Sequence, residues 1–447
     1  MKTKLLQMIT YLPIGLNMIL MKLNKSSEFI YGKEYAKYKT LVRRNAIDYD
    51  NNQDLINLVN HAIVNVPYYK NRYKKIKDIA EFQSQFDFID KDIISENFND
   101  FLDSSLDKSK YMLGTTGGTG GNPLKMYIPK NRHIVELGTM HNLWKNVGFD
   151  HDIRAVIRNK KLPVTQDYVI NPITKEIIFD GFRLNEAYFQ TIYDVIKKYK
   201  IPYIHAYPST AYEFSRYLVK NNLQLPSVRA FLCGSENVYD YQKKFIREKA
   251  KIQFYNWYGH SEKLVLAGYC KHSDVYHVEP TYGYFELIDT QGKPITTPGT
   301  IGEIVATTLH NYGMPMIRYR TDDYAEYVGD YCEHCKRYVP LIKNIQGRWN
   351  GSKIYGADGS VTTTTALNFH DDLYLYLAGL QYVQKEKGKL EVLIIKGEGF
   401  KDEHHKRLKE YYHSKFSKDT QIDIKYVDQL LRKPNGKFVE LISEIKE

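Results

Sequence analysis

The chain has 447 residues, of which 43% are hydrophobic and 26% are charged, a balance typical of globular proteins that excludes a mostly disordered chain. This length allows two or three domains. Lys and Arg number 63 against 52 Asp and Glu, and the net charge of +11 suits an anionic partner without choosing among nucleic acid, lipid and metabolite. Four cysteines are too few for a disulfide scaffold and favour a reducing, cytoplasmic compartment.

The first thirty residues are apolar but are not a membrane span. Polar and helix-breaking residues interrupt them at Gln7, Thr10, Pro13, Gly15 and Asn17. A spanning helix needs about 20 predominantly apolar residues, and no small-residue cleavage site of a signal peptide follows. We expect this segment to pack on the protein, and peripheral contact with the inner face of the membrane is the alternative.

The middle of the chain predicts an α/β fold. Leu55, Leu58 and Ala62 recur at helical spacing in residues 51–64. From about residue 186 to residue 257, amphipathic segments alternate with short apolar runs such as VRAFLCG and IQFYNW. Such alternation predicts a parallel sheet with helices on its faces, whose ligands lie beyond the carboxyl ends of the strands.

The pattern changes twice more before the end of the chain. From about residue 281, strands separated by turns indicate a β-rich region, and Gly347 to Gly351 mark a boundary. The last ninety residues read as strand, helix and strand, which is typical of a small α+β domain. We therefore predict an N-terminal body over residues 1–347 and a C-terminal lid over residues 348–447.

The sharpest local motif is the Thr/Gly-rich run from Tyr111 to Pro123, YMLGTTGGTGGNP. Its backbone amides and threonine hydroxyls can approach a polyphosphate closely. It is not a Walker A loop, because no Gly-Lys-Ser/Thr closes it. A flexible surface loop is the alternative, although the apolar LKMYI that follows indicates an adjoining ordered element.

Four further motifs follow this loop. They are LCGSENV (Leu232–Val238), NWYGHSE (Asn256–Glu262), MIRYRTDD (Met316–Asp323) and IQGRW (Ile345–Trp349). Each alone is explained by a strand-end turn or a hairpin. In this order, from about Tyr111 to the C-terminus, the set resembles the AMP-forming, adenylate-forming ligases. It is most similar to the branch of phenylacetate–CoA ligase-like and capsular-polysaccharide CapK-like proteins.

The resemblance implies a large N-terminal body with parallel sheets and a β-rich subdomain, a small mobile α+β C-terminal domain, and the use of ATP and Mg²⁺. The residues implied to contact the phosphates are Thr116, Gly117, Gly118, Thr119 and Gly121. Those implied to line the adenine and ribose sites are Gly234, Ser235, Glu236, Tyr258, Gly259, Ser261, Asp323 and Arg348. Glu262 is implied to bind Mg²⁺, and Lys437 of RKPNGKF is implied to be the adenylation lysine.

Some positions depart from the family pattern. Asn122 replaces an acidic or lysine residue, Gly120 replaces a hydroxyl residue, and Asp322 replaces a glycine. A nucleotide-binding relative without ligase activity is therefore an alternative. Without the family context, Lys437 is equally explained as a turn lysine after Asn435-Gly436.

The implied reaction activates a carboxylic acid as an acyl-adenylate and transfers it to a thiol or amine acceptor. The CapK-like branch favours a role in cell-surface polysaccharide synthesis, and an aryl- or acyl-CoA ligase using coenzyme A is the alternative. His141 and Tyr207, with Trp144 and Cys233, are expected to line the acyl pocket, and His260 is the histidine best placed for proton transfer.

The cysteines indicate a second type of site. Cys332 and Cys335 have the spacing of half a zinc knuckle, and Cys270 and His277 form a nearby second cluster. A structural Zn²⁺ held by these four residues is predicted, and thiols without a metal are the alternative. No motif of a nucleic-acid-binding protein accompanies the basic runs, so we predict no nucleic-acid partner.

Overall fold

The computed structural model describes residues 13–24, 26–44, 51–115, 124–347, 353–367, 369, 372–397, 399–431 and 440–445. The α-helices are α1 (Ile14–Leu23), α2 (Ser27–Arg44), α3 (Asn52–Asn65), α4 (Pro67–Lys70), α5 (Ile79–Gln85), α6 (Lys91–Glu96), α7 (Arg132–Trp144), α8 (Glu186–Tyr199), α9 (Pro208–Lys220), α10 (Asp240–Glu248) and α11 (Asp402–Lys415).

The strands of the first half are β1 (Tyr111–Thr115), β2 (Lys125–Pro129), β3 (Arg154–Arg158), β4 (Tyr168–Asn171), β5 (Glu176–Asp180), β6 (Tyr203–Ala206), β7 (Ala230–Gly234), β8 (Gln253–Gly259), β9 (Leu266–Tyr269) and β10 (Tyr276–Val278). Those of the second half are β11 (Gly283–Ile288), β12 (Ile301–Thr308), β13 (Tyr319–Cys332), β14 (Arg337–Gln346), β15 (Lys353–Tyr355), β16 (Val361–Thr363), β17 (Leu377–Glu386), β18 (Lys389–Lys396), β19 (Gln421–Tyr426) and β20 (Leu441–Ser443).

Twelve strands form one mixed sheet in the order β11-β12-β13-β14-β10-β9-β8-β7-β6-β3-β5-β4. The central strands β5, β3, β6, β7 and β8 run parallel, as the alternating pattern predicts. The β-rich region beyond residue 281 continues this sheet through the antiparallel pairing of β8 with β9 and of β9 with β10. The two regions therefore share one sheet, and the antiparallel half extends its β8 side.

The parallel half is built from continuous apolar strands covered by amphipathic helices. All five residues of β7 are buried, as expected for a strand covered on both faces. Helix α8 buries Ile192 and Ile196, four residues apart on one face. The parallel strands begin at β3, earlier than the alternation that starts at about residue 186 indicated. The sequence did not predict β3, because only three apolar residues lie between Arg154 and Arg158.

The C-terminal residues form a separate four-stranded sheet, in the order β19-β18-β17-β20. Helix α11 connects β18 to the parallel strand β19 and buries Leu408 and Tyr412 against the sheet. Phe182 and Tyr207 of the N-terminal body pack into the same apolar core. The predicted boundary lies within residues 348–352, outside the described residues, so the division into body and lid stays a prediction.

Helix α1 packs on the N-terminal body through one face. Met18 and Met21 are buried in the main core, and the Asn24 side chain donates hydrogen bonds to the carbonyls of Pro172 (3.1 Å) and Ile173 (2.8 Å). The opposite face, from Ile14 to Leu23, leaves apolar side chains exposed. Among the described helices, none combines the length and the apolar character needed to cross a bilayer.

Candidate active site

A cavity of about 400 Å³ opens at the carboxyl ends of the parallel strands. Its wall includes residues at or just after the ends of four strands: Arg158 at the end of β3, Tyr207 after β6, Ser235 after β7 and Tyr258 near the end of β8. This is the edge at which α/β sheets bind ligands. The cavity therefore lies where the sequence motifs after β7 and β8 predicted it.

The loop after β7 leaves the strand sharply. Gly234 pairs with Trp257 of β8, and a Cβ atom at position 234 would overlap the indole ring. Ser235 follows with a left-handed φ of 70°, a conformation that few non-glycine residues adopt. Close packing against Trp257 thus requires glycine at position 234, and the turn directs Ser235 and Glu236 into the cavity wall.

The motifs after β8 and at the start of β13 meet in the cavity. The Tyr258 hydroxyl donates a 2.7 Å hydrogen bond to Oδ2 of Asp323. Asp323 is buried, and its backbone N–H donates to Oγ1 of Thr321 at 3.2 Å. Asp322 has a φ of 56°, the left-handed region that favours glycine, which is the residue that the family resemblance places there.

The turn after β8 presents Glu262 to the same cavity. Its side chain is buried, with Oε2 3.1 Å from Nδ1 of His260 and Oε1 3.5 Å from the Tyr319 hydroxyl. Lys263 ends the turn with a φ of 61°, and its ammonium group lies 2.7 Å from the Glu136 carboxylate. A carboxylate oxygen in a cavity wall is a ligand type that Mg²⁺ prefers, so the donor chemistry fits that ion.

A pair of hydrogen bonds connects the loop after β7 to the end of β14. The Asn237 side chain accepts from the Gly347 backbone N–H at 3.0 Å and donates to the Gly347 carbonyl at 3.4 Å. Both residues line the cavity. Arg348, the next residue in the sequence, lies outside the described residues.

Two other predicted groups also lie outside the described residues. They are the phosphate-loop positions Thr116, Gly117, Gly118, Thr119 and Gly121, and the lysine Lys437. The strands that flank the phosphate loop form an antiparallel hairpin with Thr115 opposite Lys125. The roles of these residues stay predictions.

Arg158 also lines this cavity, although no motif in the sequence indicated it. Its guanidinium donates to Nε2 of His205 at 2.7 Å and to Oγ of Ser235 at 2.9 Å, and it lies 4.6 Å from the Tyr207 ring centroid. Burial, with the Arg158 charge, holds the pKa of His205 well below its usual range, so this imidazole is neutral and accepts the bond. A charged residue that ends a short apolar run was the available signal.

Tyr207 and His141, both expected in the acyl pocket, lie in different places. Tyr207 lines the cavity, and burial raises the pKa of its hydroxyl to about 12. It also lines a second cavity of about 290 Å³, whose lining includes Lys353 and Thr362 of the C-terminal region. His141 does not line either cavity: it is 1% exposed, with Nδ1 2.7 Å from the Tyr35 hydroxyl. The expectation for His141 is corrected, because helix α7 turns this side chain toward α2.

The four predicted zinc ligands come together away from this cavity. One ligand atom from each of Cys270, His277, Cys332 and Cys335 lies within 4.8 Å of the others. Cys270 Sγ is 3.3 Å from Cys335 Sγ and 3.8 Å from Cys332 Sγ, too far for a disulfide of about 2.05 Å. Both ring nitrogens of His277 are buried without a hydrogen-bond partner in the described part of the chain, and burial lowers its pKa to about 4. A neutral imidazole with three converging thiols fits Zn²⁺.

The remaining cysteine has a different environment. Cys233 is fully buried in β7, and burial raises the pKa of its thiol well above the usual value. The thiol therefore stays protonated, and Cys233 is part of the apolar core.

Comparison with known proteins agrees with the motifs. Residues 361–444 match the family model described as the CapK C-terminal domain. Over 433 residues the chain is 22% identical to Protein CapK of Staphylococcus aureus, covering 92% of each protein. The chain is similar to CapK over most of its length. The resemblance to the CapK-like branch, inferred from the ordered motifs, is confirmed.

Solved structures show the fold of this chain. It is similar to 2-hydroxyisobutyryl-CoA ligase in complex with 2-HIB-AMP and CoA in the thioesterification state, with a TM-score of 0.54, 14% identity, and coverage of 90% of this chain and 92% of that one. The postadenylation-state structure of the same ligase gives a TM-score of 0.51 at 14% identity, covering 88% of both chains. The predicted α/β fold of the adenylate-forming ligases is confirmed.

Proposed function

We propose that this protein is an AMP-forming ligase that activates a carboxylic acid as an acyl-adenylate and transfers the acyl group to a thiol or amine acceptor. The observation that carries the proposal is the cavity in which Tyr258, Asp323 and Glu262 meet the loop after β7. A ligase with the same fold has been solved with an acyl-AMP and CoA bound.

Asp323 and Tyr258 bind the nucleoside in this proposal. The Asp323 carboxylate accepts hydrogen bonds from the ribose hydroxyls, and the hydrogen bond from Tyr258 orients that carboxylate. The Tyr258 ring flanks the adenine, whose other contacts come from the Gly234–Glu236 loop and from Gly259 and Ser261. A pre-oriented acceptor loses less freedom on binding than a mobile one.

Glu262 holds Mg²⁺ when the nucleotide binds. When bound there, Mg²⁺ would supply positive charge that offsets the charge of the phosphates. His260, 3.1 Å from the Glu262 carboxylate, holds that carboxylate toward the cavity. In this proposal His260 positions Glu262, and its Nε2 is buried with no hydrogen-bond partner among the described residues.

The reaction proceeds in two steps. A carboxylate oxygen of the acid attacks the α-phosphorus of ATP, and the bond from that phosphorus to the pyrophosphate oxygen breaks. The thiol or amine then attacks the acyl carbon and releases its proton to solvent, and AMP leaves with the electrons of the acyl–oxygen bond. We propose that Lys437 stabilises the charge of the first transition state, with the Thr116–Gly121 loop and Arg348 contacting phosphate and ribose.

The cysteine–histidine cluster is proposed to hold a structural Zn²⁺. Four protein ligands close the coordination sphere and leave no position for a substrate. Such an ion would join the β9–β10 hairpin, which carries Cys270 and His277, to the β13–β14 turn, which carries Cys332 and Cys335. Its contribution would be to stability.

We propose a role in cell-surface polysaccharide synthesis and a cytoplasmic location. If the exposed apolar face of α1 contacts lipid, the protein acts at the inner face of the membrane. The resemblance to CapK supports this setting. Acyl-CoA synthesis is the second candidate, because the ligase of known structure binds CoA. A nucleotide-binding protein without ligase activity is the third, because of Gly120 and Asn122.

ATP–pyrophosphate exchange tests the reaction class. Exchange that requires both Mg²⁺ and a carboxylic acid is expected, and the Asp323→Ala variant should lose it. A second assay measures pyrophosphate release with CoA, amino acids and amino sugars as acceptors. ATP binding without pyrophosphate exchange for any acid in a broad panel would favour a nucleotide-binding protein without ligase activity.

A further inference from the structure

Arg158 differs from every other basic side chain in the described wall of the 400 Å³ cavity. Lys243 lies 2.8 Å from Asp240, Lys263 lies 2.7 Å from Glu136, and Lys343 lies 3.0 Å from Glu326. Within the described residues, Arg158 has no carboxylate within 4.0 Å. The lysines are thus compensated, and this guanidinium faces the cavity with neutral partners.

Those neutral partners hold the guanidinium in one orientation. Neutral His205 and the Ser235 hydroxyl accept from two different terminal nitrogens, and the Tyr207 ring packs near the group at 4.6 Å. Arginine stays charged in proteins and carries five N–H donors, so these two bonds leave further donors. Glu236 lines the same cavity, but no described carboxylate lies within salt-bridge distance of the guanidinium. A partly buried charge without a paired counter-charge is costly, and an anionic ligand would offset that cost.

We infer that Arg158 binds a second anionic group of the acid substrate, separate from the carboxylate that is activated. The inference rests on the proposed ligase function and names its substrate class: an acid with an additional carboxylate or phosphate. Arg158 would be a specificity-determining residue, because a fixed, planar fork favours such groups over apolar ones.

Sheet geometry gives the approximate distance from the Arg158 guanidinium to strand β8, beyond which the proposed nucleotide site lies. Strand β3 is three strands from β8, which precedes Glu262, and three spacings amount to about 14 Å. The Arg158 side chain reaches back to Ser235, which follows β7, the neighbour of β8. The guanidinium therefore lies roughly one or two strand spacings, about 5–10 Å, from β8, the strand that precedes the proposed Mg²⁺ ligand. A short carbon chain or one ring would span that distance.

The test compares acids that differ only in the second group. Butyrate, succinate and 3-phosphonopropionate have similar lengths, and phenylacetate and 4-carboxyphenylacetate form an aromatic pair. Dissociation constants are measured by titration calorimetry with AMP present, and KM values by pyrophosphate exchange. In the wild-type protein, the second anion should tighten binding about 10- to 100-fold in at least one set. Comparing succinate with 3-phosphonopropionate identifies which anion is preferred.

Arg158→Gln should abolish this preference by weakening the binding of the dianionic acids more than that of the monocarboxylates, while Arg158→Lys should restore part of it. Arg72→Gln is the matched control, because Arg72 also packs against a tyrosine ring, at 4.1 Å from Tyr68, but lies outside the cavity. Thermal unfolding of each variant checks that it is folded.

Three outcomes decide the inference. Equal binding of both members of each set by the wild-type protein would overturn it. An equal loss for both members in Arg158→Gln would also overturn it, because that pattern indicates a structural role. Arg158-dependent binding of dianionic acids without exchange for any acid would support the anion site and contradict the ligase proposal, so the two can fail separately.

Discussion

The hydroxyl of Tyr258, in the motif at the end of β8, donates a 2.7 Å hydrogen bond to Oδ2 of Asp323, near the start of β13. The two residues are 65 positions apart in the sequence, and both line the 400 Å³ cavity. The bond joins the parallel half of the sheet to the antiparallel half at the proposed nucleoside site.

Tyr258→Phe should weaken nucleotide binding without removing the ring. Loss of a hydrogen bond to a carboxylate costs about 1.5–3 kcal/mol, so KM for ATP should rise roughly 10-fold or more. Asp323→Ala should weaken binding further, because the ribose would lose its acceptor. Pyrophosphate exchange at varied ATP measures both, with Tyr324→Phe, an exposed neighbour, as the control. Equal KM values for Tyr258→Phe and wild type would contradict the assignment.

Glu262→Gln should change the Mg²⁺ requirement. The amide keeps the shape of the side chain but lacks the charge that favours a hard divalent cation. The Mg²⁺ concentration for half-maximal exchange should rise about 10-fold or more, with a lower maximal rate. Glu248→Gln, at an exposed position on α10, is the control. An unchanged Mg²⁺ titration would show that Glu262 is not the ligand.

Lys437→Ala should slow adenylation by roughly a hundredfold, the scale expected when one donor to the transition-state charge is removed. Transfer from a preformed acyl-adenylate should be spared if the lysine acts only in the first step. Lys433→Ala, in the same sequence segment, should retain the rate of both steps. Single-turnover measurement of each half-reaction separates them, and an unchanged adenylation rate would refute the role of Lys437.

Zinc should copurify at about one atom per chain when no chelator is used. His277→Ala and Cys332→Ser should each lose the metal and lower Tm, because one of four ligands is removed. Cys233→Ala, in the apolar core, should lower Tm yet retain zinc. Metal analysis by mass spectrometry decides the matter: metal-free wild-type protein would leave the four residues as a cluster of thiols and an imidazole.

His151 should make stability decrease in mild acid. Its Nε2 lies 3.2 Å from Oδ1 of Asn24, and its Nδ1 is buried without a hydrogen-bond partner among the described residues. Burial, followed by the Lys175 and Arg154 charges, lowers its pKa from 6.5 to about 4. Between these two pH values, His151 therefore binds a proton in the unfolded chain but not in the folded chain. The stabilisation is present above pH 6.5 and is lost as pH falls from 6.5 toward 4, on the order of 3 kcal/mol in total.

Tm measured from pH 7.5 to pH 4.5 tests this linkage. Replacement of His151 by Asn suits the left-handed φ of 58° and keeps a donor for Asn24. The Tm of His151→Asn should fall less steeply between pH 6.5 and pH 4.5 than that of the wild-type protein. Parallel curves would indicate that other groups cause the acid sensitivity.

Local patterns in the sequence determined the α/β class and the order of the motifs. The alternation after residue 186 corresponds to α8, β6, α9, β7, α10 and β8, because helical and strand periodicities are properties of short segments. The ordered motifs also identified the CapK-like branch. The loops after β7 and β8 were expected in the site because parallel strands align their carboxyl ends.

Only the tertiary structure decided which side chains from distant segments meet. It joins Tyr258 to Asp323 and gathers Cys270, His277, Cys332 and Cys335, contacts that depend on strand pairing over many residues. It removes His141 from the expected pocket, because the packing of α7 on α2 sets the direction of that side chain. It also reveals Arg158, whose importance depends on having neutral neighbours from β6 and β7, and no pattern within β3 contains that information.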